Sequence, residues 1–353
     1  MAKIRVLVVE DSLTVRKRIV EILQRDPDFE VVGEAEDGKR CIELCQSLRP
    51  DVITLDMVMP VMSGLAATEY IMAYFPTPIV IVSASLNRGE LFKTYEALAA
   101  GAIEVLDKPL GDDEEWERRL LFTLKVASRV KVITHPRLRL GLRPQPQPRA
   151  GAADPDGSLE LIAIGASTGG PGAIVEILRH LPACFAVPIL FVIHLDAAFG
   201  ISFAEWLDGE SQLRVRLATD GEPLPDRDHA CVLMAPPDRH MIVQAGRLRL
   251  TYDPPRHSCR PSIDALFESL STQLGARAAA CLLTGMGRDG AEGLLAVRRA
   301  GGVTIAQDEE TSIVYGMPRE AVKLGAAMQV LPIERIAPAL LALTRGAGSG
   351  SRA

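Results

Sequence analysis

The chain has 353 residues, long for one hydrophobic core and comfortable for two domains of ordinary size. Its 48% hydrophobic and 24% charged residues describe a soluble globular protein, and its net charge of -6 gives no footprint for nucleic acid.

The first residues, MAKIRVLVVEDS, carry too few apolar side chains before their acidic pair for a signal peptide. No later run is long enough to span a bilayer, so a cytoplasmic protein without membrane insertion is expected. From Ile4 to Val130 the apolar runs IRVLVV, EVVGEA, DVITLD, PIVIVSA and AIEVLD alternate with amphipathic stretches, the rhythm of a five-stranded parallel sheet with crossover helices. The last helix, around Asp112 to Val130, begins acidic and then carries basic residues, which suits its dipole. Residues 131–157, including RPQPQPRAGAADPDG, are rich in Pro, Ala and Gly without apolar periodicity and predict a flexible linker.

The rhythm resumes with LELIAIGAS, PILFVIHL, RAAACLLTG and GVTIAQD as buried strands, and with helices beginning near Pro171, Ser202, Pro261, Asp289 and Pro318. Residues 158–346 therefore read as a second, doubly wound α/β domain, followed by a disordered tail at 347–353. Between Arg214 and Asp253, short strands separated by PLPDRD, PPDR and AGR turns predict inserted antiparallel hairpins. The 6 cysteines, Cys41, Cys45, Cys184, Cys231, Cys259 and Cys281, lack the paired spacing of zinc or redox motifs, so buried, reduced thiols are expected.

Residues just past parallel strands share one edge of the sheet. In the first domain Glu10 and Asp11 follow the first strand, Asp56 ends the third, Ser83 the fourth, and Lys108 the fifth. Carboxylates gathered there repel one another unless a hard cation such as Mg²⁺ joins them. A lysine and a hydroxyl beside the ion suit phosphoryl transfer to a carboxylate, with Asp56 as the central acceptor. Single acidic residues at strand ends are usually solvated loop residues; this many together are not.

In the second domain, Gly165-Ala166-Ser167-Thr168-Gly169 has the G-x-S-x-G form of a tight strand-to-helix turn that lifts a serine hydroxyl into solvent. Such a turn also suits phosphate binding, so by itself it is ambiguous. A serine nucleophile needs a base and an orienting group. His194 ends the next strand, and Asp289 lies in a glycine-lined turn after the strand RAAACLLTG, where it could also simply cap the following helix. Backbone N–H groups of Thr168 and Met286 are placed on such turns and are candidate oxyanion donors.

The motifs VVEDS, LDMVMPVMSG, VSAS and DKP resemble the flavodoxin-like receiver domain of two-component signalling, and IGASTGGPG, IHL, RPSIDALF, TGMGRDG and VYGMPREAV resemble the catalytic domain of chemotaxis protein-glutamate methylesterases. The first resemblance, over residues 1–130, implies that Glu10, Asp11 and Asp56 bind Mg²⁺, that Asp56 accepts a phosphoryl group from a chemotaxis histidine kinase, and that Ser83 and Lys108 sense it. The second implies hydrolysis of glutamyl methyl esters on methyl-accepting chemoreceptors, with release of methanol and in some members deamidation of glutamine. Ser167, His194 and Asp289 match the family's triad, and that reaction needs no cofactor. Arg260 matches a family motif and is expected to contribute to a substrate groove. One departure is Leu195-Asp196-Ala197-Ala198, where the family commonly continues with Met-Pro, and the added acid is expected to bear on receptor choice. A phosphate-holding docking module and a serine peptidase are the rival readings of the same residues.

Overall fold

The computed structural model describes residues 2–84, 88–108, 113–130, 159–226 and 231–345. The chain divides into two compact units, residues 1–144 and 145–353. The division falls inside 131–158, so the expected linker lies outside the described residues, as does the tail at 347–353.

In the first unit, strands β1 (Ile4–Val9), β2 (Phe29–Ala35), β3 (Val52–Leu55), β4 (Ile79–Ser83) and β5 (Glu104–Asp107) alternate with helices α1 (Leu13–Arg25), α2 (Gly38–Leu48), α3 (Gly64–Tyr74), α4 (Arg88–Ala99) and α5 (Glu114–Ala127). The sheet order is β2-β1-β3-β4-β5 with every pair parallel, the flavodoxin-like arrangement. Helices cover both faces, so β3 and β4 are buried along their whole length, which is why they read as unbroken apolar runs. The Asp113 carboxylate caps α5 by accepting from Glu115 N and Trp116 N, and acidic residues fill the first turn while Lys125 sits in the last. Such a cap stabilises a helix by about 1 kcal/mol.

The second unit contains β6 (Leu161–Ala166), α6 (Gly170–His180), β7 (Ile189–Ile193), α7 (Ala197–Glu210), β8 (Val215–Leu217), β9 (Val232–Met234), β10 (His240–Gln244), β11 (Arg247–Thr251), α8 (Ile263–Gln273), β12 (Ala278–Leu282), α9 (Ala291–Arg299), β13 (Val303–Gln307), α10 (Met317–Lys323), β14 (Gln329–Leu331) and α11 (Ile333–Arg345). Its seven-stranded sheet has the order β14-β13-β12-β6-β7-β9-β8. All neighbours are parallel, and the direction of winding reverses beside β6. That reversal opens a crevice at the carboxyl ends of β6, β7 and β12.

Three expectations need correction, and one strand goes unannounced. Among the described residues only β10 and β11 form an antiparallel hairpin; β8 and β9, placed in the same insert by sequence, extend the main sheet as parallel strands. Helix α7 begins at Ala197 rather than near Ser202, because the Asp196 carboxylate accepts from Ala198 N and starts the helix early. Strand β14 carries no apolar run, being a short, largely exposed edge. All six thiols are free, but only Cys41, Cys45 and Cys281 are buried; Cys184 is exposed and Cys231 and Cys259 are half-buried.

Candidate active site

Strand register sets the site. Ala166 pairs with Ile193, so Ser167 and His194 leave adjacent strands side by side, and His194 N donates to Ala166 O at 3.1 Å. On the other flank Gly165 pairs with Leu282, and Ser167 N donates to Thr284 O at 3.0 Å. The chain then turns through Gly169, at φ 77°, into α6 with Pro171 in its first turn. Gly285 permits this closeness: a Cβ there would stand 2.7 Å from Ser167 Cβ and 2.6 Å from Met317 Cε. Among the described residues, no group hydrogen-bonds the Ser167 hydroxyl.

His194 Nε2 lies 3.0 Å from Asp289 Oδ2, so the structure brings these two expected partners together. Asp289 does not cap the helix that follows it, since Gly290 occupies the start of α9 without a side-chain cap. Its carboxylate instead receives the N-terminus of α8: Oδ1 accepts from Ser262 Oγ at 2.8 Å and Asp264 N at 3.1 Å, and Oδ2 from Ile263 N at 2.7 Å. Helix α8 comes this close because Gly165 has no side chain; a Cβ there would stand 2.3 Å from Ile263 Cγ2. Behind it, buried His240 accepts from Ser262 N through Nδ1 at 3.0 Å, and its Nε2 lies 3.2 Å from Pro254 O.

Burial acts to raise the Asp289 pKa, but the His194 ring and the α8 donors outweigh it and hold the carboxyl well below the usual range. Burial likewise acts to lower His194, and is overcome by hydrogen bonds to Asp289 and Cys259 that raise it to about 9. The second ring nitrogen, Nδ1, faces Cys259 Sγ at 3.6 Å.

Met286 is exposed, and among the described residues its backbone N–H has no protein acceptor. The Thr168 carbonyl is held by Thr284 Oγ1 at 2.9 Å, which fixes the turn carrying its N–H. The Arg260 guanidinium is committed to Asp238 Oδ1, at 2.9 and 2.7 Å, and to the carbonyls of Tyr252 and Asp253. It ties the end of the hairpin to the start of α8. Asp196, the added acid after the histidine, is spent on capping α7.

Sequence reasoning missed Ser262, His240 and Cys259. Ser262 stands inside RPSID, directly before an apolar helical pattern, which is an N-cap signal; His240 lies in the turn-rich insert, where no local pattern marks it.

In the first unit, Val9 pairs with Leu55 and Ser83 with Asp107, which brings Glu10, Asp56, Ser83 and Lys108 to one edge. Lys108 Nζ donates to Glu10 Oε1 at 2.9 Å and Asp56 Oδ2 at 2.8 Å, and its backbone N–H donates to Ser83 O at 3.1 Å. Oxygens of Glu10, exposed Asp11 and Asp56 lie within 4.8 Å of one another. Burial is the main cause that raises Asp56, and it pushes Glu10 up to about 7. Glu10 Oε2 is buried with no hydrogen-bond partner. One lysine against several carboxylates, with an orphaned buried oxygen, fits a hard divalent cation with oxygen ligands.

The two units together define a receiver joined to a doubly wound α/β domain of hydrolase type, with a serine turn at its strand ends. A family model described as CheB methylesterase matches residues 162–340, and one described as response regulator receiver domain matches residues 6–118. The chain is 44% identical to a protein-glutamate methylesterase/protein-glutamine glutaminase of Nitrosospira multiformis, over 98% of each chain. It is 43% identical to a protein of that name from Pseudomonas aeruginosa, over 99% of each. The crystal structure of the Thermotoga maritima CheB methylesterase catalytic domain, 36% identical, covers 53% of this chain and 99% of its own, with a TM-score of 0.50. The chain belongs to the CheB methylesterase family and carries its receiver domain.

Proposed function

We propose that this protein is a phosphorylation-controlled hydrolase that removes methyl groups from glutamyl esters of methyl-accepting chemoreceptors, releasing methanol, and deamidates receptor glutamines. The observation that carries this reading is the placement of Ser167 beside His194, whose ring is held by Asp289, in a family whose members bear that activity in their names. Ser167 is the nucleophile, His194 the base and Asp289 the group that orients the base. As substrate enters, the ring swings its free nitrogen from Cys259 to the Ser167 hydroxyl; such hydrogen bonds tighten only in the substrate complex. Ser167 attacks the ester carbonyl, the oxyanion rests on the N–H groups of Thr168 and Met286, and His194 returns the proton to the departing methanol. Water then releases the acyl group by the same route. Arg260 supports the groove by holding the hairpin rather than by touching substrate.

In the receiver, Glu10, Asp11 and Asp56 would hold Mg²⁺, which supplies charge neutralisation for phosphoryl oxygens. Asp56 takes the phosphoryl group from a chemotaxis histidine kinase, and Lys108 and Ser83 bind its oxygens. Residues 1–130 form this control domain, 158–346 the catalytic domain, and 131–157 the link. Among the described residues no helix is long and apolar enough to cross a membrane.

Methanol release from methylated receptor membranes, with and without a small-molecule phosphodonor, tests the whole proposal. Asp56→Asn is expected to keep basal release and lose all stimulation by the donor; stimulation that persists in Asp56→Asn would sink the switch. The reaction needs neutral His194, whose pKa is raised, so kcat/KM is expected to climb with pH beyond the ordinary histidine value of about 6.5, toward about 9. A profile already flat above neutrality would contradict the base assignment.

A further inference from the structure

The Asp289 carboxylate only accepts, so it keeps a His194 proton on Nε2, and once the ring is neutral the lone pair of Nδ1 points at the Cys259 thiol. The thiol is fixed by a tight turn in which Cys259 N donates to Arg256 O at 2.7 Å and Arg256 N to Cys259 O at 3.1 Å. A tetrahedral zinc ion, with Zn–S about 2.3 Å and Zn–N about 2.0–2.1 Å, spaces those two donors by about 3.6 Å. The distance from Cys259 Sγ to His194 Nδ1 is 3.6 Å. Donor atoms of His194, Cys259 and Asp289 all lie within 4.8 Å of one another. Carboxylate, imidazole and thiol in this order form the arrangement in which an outer carboxylate steadies a metal-binding histidine.

We propose that Cys259 and His194 Nδ1 bind a thiophilic divalent cation such as zinc or cadmium, and that the bound ion withholds the base from Ser167. The thiol proton and the Nδ1 proton of the charged ring leave to solvent, metal–sulfur and metal–nitrogen bonds form, Nε2 keeps its proton in the hydrogen bond to Asp289, and no electron is transferred. Water completes the coordination from the half-exposed side. The receiver carboxylates are all-oxygen donors suited to magnesium, so excess magnesium occupies them and leaves this sulfur-containing site to the softer ion. The block on hydrolysis rests on the esterase reading above; the cation site itself does not.

The test titrates the full-length chain with cadmium in excess magnesium, following the ultraviolet thiolate-to-metal charge-transfer band, beside Cys259→Ser and Cys184→Ser. The band is expected to survive Cys184→Ser and to disappear in Cys259→Ser. Zinc is expected to inhibit methanol release, with the half-inhibiting concentration raised at least about tenfold in Cys259→Ser. Release measured before metal is added reports folding of each variant and the esterase reading separately. A band unchanged by Cys259→Ser overturns the site, and equal zinc inhibition in that variant and the unaltered chain overturns the block. A Cys259-dependent band in a chain that releases no methanol without metal would support the site and count against the esterase.

Discussion

Ser167→Ala is expected to reduce methanol release from methylated receptors by at least about 10⁴-fold, because removing the nucleophile leaves only the oxyanion donors and binding to act on water. The variant should fold normally: the Ser167 hydroxyl has no hydrogen-bond partner among the described residues, and alanine keeps the Cβ that packs against Gly285. A denaturation midpoint equal to that of the unaltered chain therefore makes the activity loss chemical. Turnover within tenfold of the unaltered chain would remove Ser167 from the mechanism.

Asp289→Asn is expected to cost about 10⁴-fold in kcat, through loss of the charge and tautomer control on His194, and also to destabilise the fold. The carboxylate accepts from Ser262 Oγ, Ile263 N and Asp264 N as well as from His194. An amide cannot accept at its nitrogen, so at least one of these buried donors loses its partner, at about 1–3 kcal/mol. The depressed pKa of Asp289 gives a second signature. A carboxyl whose folded pKa is lowered contributes stability above its unfolded pKa of about 3.9 and loses it as pH falls through the folded value. The Asn variant lacks that component, so its deficit in denaturation midpoint should shrink on acidification. An undiminished deficit at low pH would contradict the ionised assignment.

The receiver strands were legible because helices bury both faces of the sheet, which writes runs such as VITL and IVIVS directly into the sequence. The arrival of Ser167, His194 and Asp289 at one edge was legible for a related reason: parallel strands deliver whatever follows them to the same side. The insert was misread at β8 and β9 because a three-residue strand carries no record of its partner, and both pair with residues far along the chain. The direction of His194 Nδ1 was also invisible. It depends on the turn from Arg256 to Cys259, where His257 and Ser258 adopt positive φ of 50° and 64° without any glycine to announce it. Likewise the cap that Asp289 provides serves a helix earlier in the chain, a pairing that no local pattern encodes.

The absence of a side chain at Gly285 bears on the entropy of the reaction. Ser167 is held by its own backbone bonds in the space that the missing Gly285 side chain leaves open, while among the described residues its hydroxyl is left unbound. The proposed nucleophile is therefore confined in position but free in rotation about its last bond. Its translational ordering is completed when the chain folds rather than when an ester arrives, and the one motion left to it is the one that hands over a proton.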